Sequence, residues 1–134
     1  MKDILKSKRV VVFGLPGAFT PVCSNSHVPS FIQYYDELKK KNIDSIICVS
    51  VNDPFVMSAW AVNLNTENKI KMLADVDADL AKALQLEVNV PVLGKIPRIK
   101  RFSMFVDDGV VKSLNVDEAG ASTTLADHIL KQIQ

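Results

Sequence analysis

Phe13 to His27 reads F-G-L-P-G-A-F-T-P-V-C-S-N-S-H. It follows Val10, Val11 and Val12, so residues 9–14 form a β-branched apolar run, too short for a helix and suited to a buried strand. Gly14, Pro16, Gly17 and Pro21 then break the regularity and predict a tight loop over residues 15–20. Beyond it Val28, Phe31, Ile32, Tyr35 and Leu38 recur at three and four, the period of an amphipathic helix. Cys23 therefore falls at the first turn of a helix, where unpaired backbone N–H groups and the positive end of the helix dipole favour an anion. A thiol in that setting loses its proton more easily.

Outward from this stretch the chain alternates strand and helix. The predicted helix runs from about Pro21 to Lys41, with Pro29 inside it as a bend. Asp44 to Val51 is a second buried strand and carries Cys48. Asp53 is expected to cap a helix that begins at Pro54 and ends near Asn65. Residues 70–75 read as a third strand, Asp77 to Leu86 as a short helix and 87–97 as a loop. Lys100 to Val106 and Val110 to Val116, joined by Asp107-Asp108-Gly109, make a hairpin. Ser122 to Ile133 closes the chain as an amphipathic helix. Parallel strands with helical crossovers followed by a hairpin predict an α/β fold, a central mixed sheet with helices on both faces. Such folds place their sites at the carboxyl ends of the strands, where the Cys23 loop lies.

The 134 residues suit one domain, 1–134. With 16 Lys and Arg against 15 Asp and Glu, the charge is too balanced for a nucleic-acid or membrane surface as the main partner. No apolar run reaches the roughly 20 residues of a membrane span, and the first nine residues lack the apolar core of a secretory signal. Two cysteines are too few for a secreted disulfide scaffold and point to a reducing compartment.

Pro16, Thr20 and Cys23 stand in a P-x-x-x-T-x-x-C spacing that resembles the active-site motif of peroxiredoxins. His27 four residues on, C-V-S-V-N-D-P-F-V-M-S-A-W from Cys48, L-A-D at 73–75 and R-F-S-M-F-V-D-D-G-V-V-K from Arg101 resemble the type II, or peroxiredoxin-5, subfamily. The resemblance implies a thioredoxin-like fold and a thiol-dependent peroxidase for hydrogen peroxide and alkyl hydroperoxides, without a cofactor. It implies Cys23 as the peroxidatic cysteine, oxidised to a sulfenic acid. Thr20 would contact peroxide, with helix capping as its plainer role. Pro16 would shield the sulfur, and Gly17 would let the backbone approach closely. Arg101 would hold the thiolate and stabilise charge on the breaking O–O bond. Arg98 is expected as structural support, and His27 either orients its neighbours or is a hydrogen-bonded core residue.

Cys48 has two readings. Some type II members carry a resolving cysteine there, whereas a cysteine inside an apolar strand is commonly plain packing. A Cys23–Cys48 disulfide needs Cα atoms within about 7 Å, so the Cys23 turn would have to unwind; the alternative is reduction by an external thiol. Other members place a resolving cysteine near the C-terminus, where this chain has A-G-A-S-T-T-L-A-D. Glutaredoxin with glutathione, or thioredoxin, is the reductant the resemblance implies, in a cytoplasmic or organellar (including mitochondrial) setting, with a homodimer as the family's frequent assembly. Family members also carry a further segment before the strand at Val10, which this chain is expected to lack. Two competing functions are a peroxiredoxin-like redox sensor with little turnover and a zinc-binding module using Cys23, His27, Cys48 and His128.

Overall fold

The computed structural model describes residues 6–21, 23–66, 69–117 and 123–133. Strand β1 (Arg9–Gly14) lies at the centre, and all of its residues after Arg9 are buried. On one side it pairs in parallel with β2 (Ser45–Ser50), which pairs in parallel with β3 (Lys71–Ala74). On the other side it pairs antiparallel with β6 (Arg101–Asp107), which forms the hairpin with β7 (Val110–Asp117). The sheet order is β3-β2-β1-β6-β7, the mixed α/β arrangement expected from the element order.

Strand alternation sorts side chains into two cores. Val11 and Phe13 of β1, Cys48 of β2 and Phe105 of β6 face one side. There they meet α1 (Val28–Gln33), α2 (Tyr35–Lys40), α3 (Pro54–Leu64) and α5 (Ala126–Gln132) through Phe31, Leu38, Trp60 and Ile129. Val10, Val12, Ile47 and Phe102 face the other side and pack on α4 (Asp79–Ala83) through Ala78 and Ala81. The stacked rings of Phe13 and Phe31, 4.0 Å apart, join β1 to α1 within the first core.

The capped helix is present as expected. Val56 N donates to Asp53 Oδ1 at 2.8 Å, Pro54 opens α3, and Asn65 ends it in the left-handed conformation. Two expectations need correction. The helix over Pro21–Lys41 is not continuous: a π-helical turn (Cys23–His27) precedes α1, and a break at Tyr34 separates α1 from α2. Pro29 has no N–H for an i−4 carbonyl, so it stands at the opening of α1 rather than within a longer helix. The 87–97 loop contains β4 (Glu87–Val88), which pairs antiparallel with β5 (Arg98–Ile99), and a 3₁₀ turn at Pro91–Leu93. Two-residue strands carry too little periodicity to be read from sequence. Ser122, expected to start the last helix, lies outside the described residues, and α5 begins at Ala126. No described helix is long and apolar enough to cross a membrane.

Candidate active site

The loop after β1 is held at both ends. Leu15 N donates to Val49 O at 3.2 Å, carrying the parallel pairing one residue beyond the strand. Further on, Ala18 N donates to Asn52 Oδ1 at 3.1 Å, and the Ser50 hydroxyl donates to the same oxygen at 2.6 Å. The Thr20 hydroxyl closes the loop on itself by donating to Gly17 O at 2.6 Å. Gly17 is buried; a Cβ there would stand 3.1 Å from Thr20 Cγ2 and 3.3 Å from Leu93 Cδ1, so a larger residue would crowd both side chains. Phe19 takes the left-handed conformation (φ 63°) and lays a half-exposed ring 6.3 Å from Trp60. Pro16 is half-buried at the start of this loop.

Cys23 opens the π-helical turn with its side chain fully buried. The backbone amides expected to face the sulfur are partly spoken for: Ser24 N donates to Thr20 O at 2.9 Å. The donor to the sulfur is Arg101, whose Nη2 lies 3.2 Å from Cys23 Sγ. A charged donor to sulfur makes a stronger bond with a thiolate than with a thiol.

Arg101 reaches this point because of strand parity. It precedes Ser103 and Phe105 at a spacing of two, so it shares their face, the face of the first core. Gly14 pairs with Phe102, which puts Arg101 just past the carboxyl end of β1, level with the Cys23 turn. Its other terminal nitrogen, Nη1, lies 2.9 Å from His27 Nδ1. His27 is fully buried, and its Nε2 lies 3.1 Å from Thr124 O. One donor and one acceptor fix the tautomer. Arg101 can only donate, so Nδ1 accepts and the ring proton sits on Nε2, donated to the carbonyl. Burial first, and the Arg101 charge second, push the His27 pKa down to about 3, so the ring is neutral at physiological pH.

The remaining expected residues divide. Arg98 serves the scaffold, its Nη1 donating to Val51 O at 2.9 Å and Nη2 to Leu93 O at 3.1 Å behind the loop. Cys48 lies opposite Phe13 on one side and Met72 on the other, fully buried in the same core as Cys23. Both cysteines are free thiols. Burial, and then the neighbouring Cys23, push the Cys48 thiol well above the ordinary range, with Arg101 pulling the other way. Among the described residues no three His, Cys, Asp or Glu side chains gather as a metal site requires. Cys23, His27, Cys48 and His128 are thus not assembled as four ligands.

Sequence reading missed Asn52, Ser50 and Trp60 as supports of the site. Asn52 reads locally as a strand stop, and only the parallel pairing of β1 with β2 brings it beside Ala18. Trp60 reads as core, which it is, yet its Nε1 also donates to Ser24 Oγ at 3.0 Å and pins the Cys23 turn to α3.

The redoxin family model matches residues 1–129. Peroxiredoxin-2F, mitochondrial, of Arabidopsis thaliana is 47% identical over 99% of this chain and 67% of its own length. Peroxiredoxin-2B of the same plant is 45% identical over 98% of this chain and 82% of its own length. Among solved structures, reduced Prx3 in complex with H2O2 from Vibrio vulnificus superposes with a TM-score of 0.94 at 44% identity, covering 98% of this chain and 81% of that one. With a buried cysteine facing an arginine at the end of the first strand of such a sheet, the chain belongs to the redoxin family and, within it, to the type II (peroxiredoxin-5) peroxiredoxins, thiol-dependent peroxidases.

Proposed function

We propose that Cys23 is the peroxidatic residue of this peroxidase and that Arg101, Thr20 and Pro16 complete its site. The observation that carries the reading is the 3.2 Å approach of Arg101 Nη2 to Cys23 Sγ, both groups buried. The thiolate sulfur attacks one peroxide oxygen. An S–O bond forms, the O–O bond breaks, and the departing oxygen leaves with the bonding pair and takes a proton. Cys23 is oxidised to a sulfenic acid, and the peroxide is reduced to water and, for an alkyl hydroperoxide, an alcohol. The guanidinium keeps its charge throughout, so it holds the thiolate before attack and stabilises the departing oxygen during it. Thr20 and Pro16 would wall the peroxide on the loop side; turning the Thr20 hydroxyl from Gly17 O frees a hydrogen-bonding group three residues before the sulfur. The complex of Vibrio vulnificus Prx3 with H2O2 supports hydrogen peroxide as a substrate here.

For the return step, an external thiol, of glutathione with glutaredoxin or of thioredoxin, attacks the Cys23 sulfenic acid: an S–S bond forms, the S–O bond breaks and the oxygen leaves as water, and a second thiol then displaces Cys23 from the mixed disulfide. Cys48 is held at the middle of three paired strands with its thiol kept protonated by burial, which disfavours it as an attacking group. A second reading, with Cys48 resolving, draws support from the core it shares with Cys23. Likeness to a mitochondrial relative supports an organellar setting. Exposed Phe19, Val92 and Ile96 on the loop and the segment packed behind it support pairing of two chains there.

The test is mass spectrometry after one equivalent of hydrogen peroxide without reductant. Sulfenic acid at Cys23 with no Cys23–Cys48 bridge is expected, and Cys23→Ser should consume no peroxide. A bridge would establish the second reading; undiminished consumption by Cys23→Ser would refute the first and the second alike.

A further inference from the structure

His27 belongs to a chain of buried contacts that continues past the reacting atoms. Asp117, at the end of β7, is 8% exposed, and its carboxylate accepts from Thr123 N and Thr124 N and from the two threonine hydroxyls, the latter at 2.6 and 2.8 Å. It thereby fixes the main chain of Thr124, whose carbonyl accepts the His27 ring proton at 3.1 Å. That contact leaves Nδ1 as a lone pair aimed at Arg101, and Arg101 in turn faces Cys23. Phe13 and Phe31 pack on the imidazole at 4.9 and 5.8 Å and keep it from turning. Asp117 stands directly across the β6–β7 ladder from Arg101, so both ends of the chain of contacts share one sheet register.

A guanidinium held only at the sulfur could swing about its long side chain. A second acceptor, rigid and uncharged, fixes the planar fork in one orientation. Had the second acceptor been a carboxylate, it would have competed with the thiolate for the positive charge; a neutral imidazole orients without neutralising. We infer that His27 is a positioning residue for the peroxidase reaction, acting through Arg101, and that Asp117 sets the tautomer that lets it do so by anchoring Thr124. This rests on the assignment of Cys23 and Arg101 above. The charged and titratable groups that act on His27 are Arg101 and Asp117, with Cys23 on the far side of the guanidinium.

The test compares His27→Phe, which keeps a ring but removes the acceptor, with His27→Asn, whose Oδ1 can stand near the position of Nδ1. Two quantities are read: the second-order rate of Cys23 oxidation by hydrogen peroxide, and the pH midpoint of Cys23 alkylation by iodoacetamide. His27→Phe should slow oxidation about tenfold or more and raise the alkylation midpoint. His27→Asn should recover most of both. Asp117→Asn, farther from the thiol, should move both in the direction of His27→Phe by a smaller factor. If His27→Phe does not fold, the Asp117→Asn and His27→Asn midpoints decide. A folded His27→Phe, or in its absence Asp117→Asn, within about twofold of the parent rate and with an unmoved midpoint would overturn the inference. Cys23→Ser run alongside separates the failures: if it is inactive while His27→Phe is fully active, only the positioning role falls.

Discussion

At the scale of single residues, two contacts leave little room for change. The first is Arg101 on Cys23. The second is Gly14, the last residue of β1, where a Cβ would sit 2.1 Å from Cε1 of Phe102, a fully buried ring across the strand pair. That ring is fully buried and would have to shift within its core, so Gly14→Ala should destabilise the protein by about 1–3 kcal/mol, measured by urea unfolding. A midpoint equal to the parent's would show that the ring can move. The spacing of Pro16, Thr20 and Cys23 made this end of the site legible in the sequence, because those residues lie within one loop. Arg101 was legible through the resemblance of its strand. The acceptor that orients it, and the carboxylate behind that acceptor, were not: Asp117 and Thr124 act through a main-chain carbonyl, which has no side-chain signature.

At the scale of elements, long periodic segments were readable and short ones were not. β1, β2, the capped α3 and the Asp-Gly hairpin stand where β-branched runs, an Asp-Pro start and a turn signal put them. The segment after Cys23 differs because an apolar three-and-four pattern does not distinguish an α-turn from a π-turn. The wider π-turn opens at Cys23, between a loop tied to β2 and a helix that has to open at Pro29. Its tie to α3 is the single Trp60–Ser24 side-chain bond described, which makes this turn the natural place for local opening when a reductant must reach a fully buried sulfur.

At the scale of the whole molecule, the site sits where the sheet changes from parallel to antiparallel, with β1 flanked by β2 on one side and β6 on the other. Such a junction lets a loop residue and a residue some 80 positions later meet over one core. Burying a neutral histidine there has a cost in acid. An unfolded histidine titrates near 6.5 and binds a proton that folded His27, with its pKa near 3, does not. Stability contributed by this group is therefore complete above about pH 6.5 and falls as the pH drops towards about 3, by up to about 1.4 kcal/mol per pH unit. Urea unfolding between pH 5 and 7 should show that slope in the parent and a shallower one in His27→Phe; equal slopes would contradict it. In alkali the sign reverses for Cys48: the unfolded thiol ionises above about pH 8.5 while the folded one stays protonated, so stability falls again as the pH rises.

Cys23 and Arg101 are proposed to make the peroxidase together. Stopped-flow measurement of Cys23 thiol loss on mixing with hydrogen peroxide, in the parent and in Arg101→Gln, tests this most directly. The parent should show fast second-order oxidation, and the variant should lose about a hundredfold or more. A folded Arg101→Gln that reacts at the parent's rate would contradict it.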